Sequence, residues 1–189
     1  MVRSRALPLL AVALVLAFGA SSVPAQSDEE TEASREYAIK AAYLYNFGRY
    51  VEWPPDAFES SGAPFVIGVL GKDPFGAILD EIAANKRIEG RRIVARRFAT
   101  MAEYTHCQIL FVAASASPQQ KAAAIKMAQE SAVLLVGEGS GFAKQGAAVN
   151  FFVESNRVRF EINTEAARRG QLKISSKLLS LAKIVGNKN

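Results

Sequence analysis

The chain has 189 residues, half of them hydrophobic, with 23 lysines and arginines, 18 acidic residues and a formal net charge of +5 at pH 7. This length allows one sizeable core, and the single cysteine, Cys107, excludes an intramolecular disulfide. The basic pairs Arg96–Arg97 and Arg168–Arg169 are isolated and lack interleaved aromatic residues, which argues against nucleic-acid binding.

The first 25 residues have the pattern of a secretory signal peptide. Arg3 and Arg5 form a positive start, residues 6–18 are apolar, and small residues precede a cleavage point near Ala25. The apolar run is shorter than the roughly 20 residues of a membrane-spanning helix. We therefore expect an exported, soluble protein.

The folded domain is expected over residues 35–189, after a polar and acidic lead-in at residues 26–34 that we predict to be disordered. A helical pattern begins at Tyr37 and must end by Trp53, because Pro54 and Pro55 follow. This helix is apolar on nearly all sides. Burial between layers is the favoured interpretation, and an interface, including a homodimer, is the alternative.

Alternating strands and helices follow this aromatic helix. Apolar runs predict strands at residues 64–71, 93–98, 107–113 and 132–136. Helices are predicted from Asp73–Pro74 to about Ala84 and from Ser117–Pro118 to about Glu130. This order predicts an α/β protein: a single three-layer domain with a mostly parallel sheet and helices on both faces.

The last forty residues add an antiparallel C-terminal hairpin and a helix. Polar and apolar residues alternate on both sides of a short turn at residues 154–156, which predicts the hairpin. Leu178, Leu181, Ala182 and Val185 have helical spacing, and Ser175 or Ser176 is a suitable N-cap.

No constellation of residues points to catalysis, a metal or a cofactor. Residues 68–72 lack the second glycine and the hydroxyl residue of a phosphate-binding loop. His106 and Cys107 are neighbours on a strand, so their side chains point to opposite faces and do not form a catalytic pair. The glycine-rich loop at residues 137–146 follows a strand, where it is either a flexible connection or part of a small-molecule site.

Three stretches resemble the YfiR-like family of periplasmic proteins: residues 41–54 (AAYLYNFGRYVEWP), 67–76 (IGVLGKDPFG) and 158–181 (VRFEINTEAARRGQLKISSKLLSL). The resemblance implies a non-enzymatic regulator that binds the periplasmic sensor part of an inner-membrane diguanylate cyclase. Such a regulator holds the cyclase inactive and lowers cyclic di-GMP and biofilm formation. Some relatives sense redox state through paired cysteines, which this chain lacks.

The expected docking residues come from two separate parts of the chain. Leu172 and Ile174 have two open interpretations, as core residues or as partner contacts. The alternative function is a periplasmic small-molecule sensor, with its ligand near residues 137–146. The full set of predicted partner-binding residues is Tyr50, Trp53, Pro54, Glu161, Leu172, Ile174 and Lys177.

Overall fold

The computed structural model describes residues 26–186, so the predicted signal peptide lies outside the described residues. The helices in this range are α1 (Gln26–Tyr50), α2 (Ala77–Asn85), α3 (Pro118–Gln129), α4 (Phe142–Gln145), α5 (Thr164–Arg169) and α6 (Ser176–Leu179). The strands are β1 (Val51–Glu52), β2 (Phe65–Leu70), β3 (Arg87–Ile88), β4 (Arg91–Phe98), β5 (Ile109–Val112), β6 (Leu134–Glu138), β7 (Val149–Glu154), β8 (Arg157–Ile162), β9 (Lys173–Ile174) and β10 (Lys183–Ile184).

Eight of these strands form one sheet in the order β10-β8-β7-β6-β5-β2-β4-β3. The central pairs from β4 to β7 are all parallel, whereas β7 and β8 form the predicted antiparallel hairpin. The remaining two strands, β1 and β9, pair antiparallel in a small sheet of their own. The predicted α/β fold with a mostly parallel sheet is confirmed.

Two apolar cores lie on the two faces of the sheet. The larger core packs α1 and α2 against one face and includes Leu44, Phe47 and Leu79. The smaller core packs α3 against the other face and includes Ala124 and Ala128. Helices therefore cover both faces, which gives the three layers that the sequence predicts.

The structure corrects the predicted disordered lead-in, because α1 is already helical from Gln26. A polar and acidic composition does not exclude a helix, because glutamate and alanine are good helix formers. The aromatic part of α1 is core: Phe47 is buried, and Tyr43 packs against Phe151 and Phe160.

Local signals explain the elements that the sequence predicts well. Ser117 and Gln120 form a reciprocal capping box at the start of α3, where Pro118 occupies the first helical position. The hairpin turns through Ser155 and Asn156, which both have positive φ, as a tight two-residue turn requires.

The predicted C-terminal helix is wrong beyond its first turn. Ser175 caps α6 as expected, through a bond that its side chain accepts from the Leu178 amide, but the helix ends at Leu179. The chain then joins the open edge of β8 as β10, and the Val185 amide donates to the Ile162 carbonyl. A helix of about ten residues is marginal alone, whereas a sheet edge supplies backbone partners. Leu181, which the helical stripe would bury, is exposed.

Candidate functional site

The small sheet of β1 and β9 brings together two family stretches that are far apart in sequence. Val51 pairs with Ile174 and Glu52 with Lys173, and the amide of Ser175 donates to the carbonyl of Tyr50. The end of the aromatic helix and the C-terminal region are therefore neighbours.

Trp53 follows this pairing and is fixed against the main sheet. Its ring nitrogen donates a 3.2 Å hydrogen bond to the Gln108 carbonyl, and its ring meets Phe65 edge to face at 5.0 Å. The side chain is half-buried, so part of the indole faces solvent while the rest is anchored. A rigid, partly exposed tryptophan is a frequent anchor of protein–protein interfaces.

The buried side chain of Gln108 holds the loop that carries the tryptophan. Its Oε1 accepts from the Val66 amide at 2.7 Å, and its Nε2 donates to the Ala57 carbonyl at 2.6 Å. These bonds join β2, the start of β5 and the turn after the double proline. The loop geometry is thus set by the sheet rather than by loop residues alone. Sequence reasoning missed this residue, although it is the polar interruption in an apolar strand.

A surface groove of about 440 Å³ lies between Trp53 and the segment that leads into β9. One wall consists of the Trp53 ring and the two prolines, and the other is formed by the turn after α5. The groove is therefore built from two family stretches. Its lining residues are Glu52, Trp53, Pro54, Pro55, Arg168, Gln171, Leu172 and Lys173.

The rim of this groove is mainly cationic. Arg168 and Lys173 are 81% and 82% exposed, and Arg169 and Lys177 are exposed nearby. Glu52 is the acidic exception, with its carboxylate 3.9 Å from Lys173. Exposed pairs of this kind contribute little to stability, so these charges are available to a partner.

The structure brings six of the seven predicted docking residues together and separates the seventh. Lys177 lies over the Tyr50 ring and donates to its hydroxyl at 3.3 Å. Leu172 is only 5% exposed and Ile174 is half-buried against the larger core, so both support the surface from beneath. Glu161 lines a different cleft, where its carboxylate lies 3.6 Å from Lys183.

A buried charged cluster at the other end of the sheet was also missed by sequence reasoning. Lys40 on α1 is 3% exposed and forms ion pairs with Glu36 and Glu138. The Tyr37 hydroxyl donates to Glu138 at 3.1 Å, and burial, reinforced by the Glu138 charge, raises the pKa of Tyr37. The available signal is that Glu138 ends a strongly apolar strand.

The single histidine, His106, and the single cysteine, Cys107, are both held against other parts of the fold. The His106 ring nitrogen lies 3.1 Å from the Ala57 carbonyl, next to Gln108. Cys107 is fully buried, and burial raises the pKa of its thiol to about 12, so the reactive thiolate is suppressed. Among residues 26–186 no cluster of three or more histidine, cysteine, aspartate or glutamate side chains has the arrangement of a metal site.

The fold and the groove define a class: an α/β protein whose residues 26–186 carry a surface groove with an apolar wall and a mainly cationic rim. The chain belongs to the YfiR/HmsC-like family, whose sequence model matches residues 37–183. A search of curated proteins finds no match. Over the part of the chain that the structure describes, none of the helices has the length and apolar character needed to span a bilayer.

Proposed function

We propose that this protein is a non-enzymatic periplasmic regulator that binds the periplasmic part of an inner-membrane diguanylate cyclase and keeps it inactive. Family membership supports this role, since the YfiR-like resemblance implies repression of such a cyclase. The expected result is lower cyclic di-GMP and less biofilm. The observation that carries the docking step is the rigid groove at Trp53, built from two family stretches.

The groove also indicates which kind of partner surface it accepts. The Trp53 ring and Pro54 supply an apolar wall, and the exposed cations Arg168 and Lys173 form the rim. An apolar anchor surrounded by charge is the usual anatomy of a protein interface. We therefore expect the cyclase to present an apolar side chain flanked by acidic residues.

The first test measures intracellular cyclic di-GMP in the source bacterium with and without the gene. Deletion is expected to raise cyclic di-GMP, and the wild-type gene should restore the low level. An unchanged level in the deletion strain would contradict repression of a cyclase.

The second test asks whether the groove is the docking site. The deletion strain is complemented with a gene that carries Lys173→Glu. This substitution reverses one exposed rim charge, so the fold should persist while partner binding weakens about tenfold, or about 1.4 kcal/mol. Lys144→Glu, at an exposed site on α4, makes the same charge change away from the groove and should complement fully. Equal repression by both variants would exclude the groove as the docking surface.

A further inference from the structure

A second cleft, of about 550 Å³, lies at the carboxyl end of β6 beside α1 and the β7–β8 hairpin. Ligands of open α/β sheets commonly bind at the carboxyl ends of parallel strands, and the volume is within the range of small-molecule sites. The cleft belongs to a different part of the surface from the Trp53 groove. Its interpretation therefore does not depend on the proposed cyclase.

One wall of the cleft is rigid and has its polar groups satisfied. The Lys40 ammonium group bonds one Glu138 oxygen, and the other oxygen accepts from the Tyr37 hydroxyl and from the Ala114 amide at 2.9 Å. Glu36 also pairs with Lys40. Because these groups are already paired, a ligand must be recognised by other atoms of the cleft.

Asn150 supplies such an atom. Its side chain is 2% exposed and lines the cleft, and its Nδ2 donates to Glu161 at 3.5 Å. Its Oδ1 has no hydrogen-bond partner. Among residues 26–186 it is the one buried side-chain nitrogen or oxygen atom that lacks such a partner. A buried acceptor without a partner is unfavourable, so native structures rarely leave one without a donor.

The charges of the cleft indicate what that donor carries. Three carboxylates line it, from Glu36, Glu138 and Glu161, against the single ammonium group of Lys40. The cleft is thus acidic although the whole chain has a formal charge of +5. The exposed Lys183 ammonium group already lies 3.6 Å from the Glu161 carboxylate, so this carboxylate attracts a cationic donor within the chain itself.

Apolar side chains border the unpaired Asn150 Oδ1 and the Glu161 carboxylate, which lies 3.6 Å from Lys183. Phe152 follows Asn150 by two positions, on the same side of β7, and Val153 is half exposed at the rim of the cleft. We propose that this cleft binds a small organic cation, whose ammonium or amidinium group donates to Asn150 Oδ1 and Glu161 while its apolar part contacts Phe152.

The test uses isothermal titration calorimetry of the purified protein with 2-phenylethylammonium as the probe. Phenylacetate and 2-phenylethanol serve as controls, because they keep the ring and replace the cation by an anion or a neutral hydroxyl. The ammonium compound is expected to bind with a millimolar or lower Kd, and the two controls at least tenfold more weakly. Absence of binding, or equal binding of phenylacetate, would overturn the proposal.

Two variants locate the binding. Asn150→Ala and Glu161→Gln should each weaken binding of the probe at least tenfold, and Glu81→Gln, an equal charge change on α2, should leave it unchanged. Asn150→Ala removes both the unpaired Oδ1 and the Nδ2 donor to Glu161, so urea unfolding of this variant is measured alongside to check that it folds. Retained binding in both cleft variants, or an equal loss in Glu81→Gln, would show that the probe does not bind through these acceptors.

Discussion

At the scale of single residues, buried polar side chains position both surface sites. Gln108 uses its amide to join β2, β5 and the turn that carries Trp53, so the groove inherits the rigidity of the sheet. Lys40 plays the corresponding part at the cleft, where it links α1 to the end of β6 through Glu138. Such groups are stabilising only while every partner is in place.

Substitution of Lys40 is therefore expected to destabilise the protein. Lys40→Ala should lower the free energy of unfolding by about 3 kcal/mol, because it leaves the Glu138 carboxylate buried without its cation. Arg159→Ala is the matched control, since it breaks an ion pair with Glu154 that is more than half exposed on both sides, and should change stability by less than about 1 kcal/mol. Urea unfolding measures both. Similar losses in the two variants would mean that burial does not determine the effect.

At the scale of elements, the sequence predicts those parts whose signals are local. The capping box at Ser117, the hairpin at Ser155–Asn156 and the apolar runs of β2, β5 and β6 are all readable from neighbouring residues. The path of the chain after Leu179 cannot be predicted from neighbouring residues. Helical spacing there competes with an open sheet edge that exists only in the folded molecule. Six of the seven predicted docking residues lie near Trp53 and Glu161 does not, whereas the pairing of Lys40 with Glu138 spans 98 positions and has no local signal.

The capping box gives a prediction for α3. Ser117→Ala removes the side-chain oxygen that accepts from the Gln120 amide at 3.2 Å, and should lower the free energy of unfolding by about 1 kcal/mol. Gln119→Ala, an exposed substitution in the same first turn, should stay within about 0.5 kcal/mol of wild type. Chemical denaturation provides the comparison. If Ser117→Ala left the free energy of unfolding unchanged, Pro118 alone would suffice to start the helix.

At the scale of the whole molecule, the two surface sites lie at opposite ends of the parallel strands. The groove is anchored at Gln108, directly before β5, whereas the cleft lies at Glu138, the last residue of β6. A ligand in the cleft therefore leaves the groove open to a protein partner. The α/β core between them connects the two sites through α1, which contributes Lys40 to the cleft and leads into β1.

Three acidic groups whose pKa values are raised by burial determine how the stability of the whole protein depends on pH. Burial raises the pKa of Cys107 from 9.0 to about 12, and burial also raises the pKa values of Tyr37 and Tyr104. Between pH 9 and 12 the unfolded chain releases protons that the folded protein retains, so stability is complete below pH 9 and falls as pH rises.

The Cys107 contribution should be roughly 1 kcal/mol per pH unit in that window. Urea midpoints at pH 8 and pH 10.5 measure the loss, and Cys107→Ala should reduce its slope while the tyrosines maintain the rest. A midpoint that is constant to pH 10.5 would contradict the raised pKa values.

The pairing of β1 with β9 has a consequence for how the protein is made. Residues 51 and 174 become neighbours only when nearly the whole chain is present, so this contact has a very large sequence separation. A ribosome synthesises the aromatic helix first and the strand that completes the groove almost last. A chain cut short before Lys173 therefore lacks one wall of the Trp53 groove, so the proposed docking surface is complete only once synthesis is nearly finished.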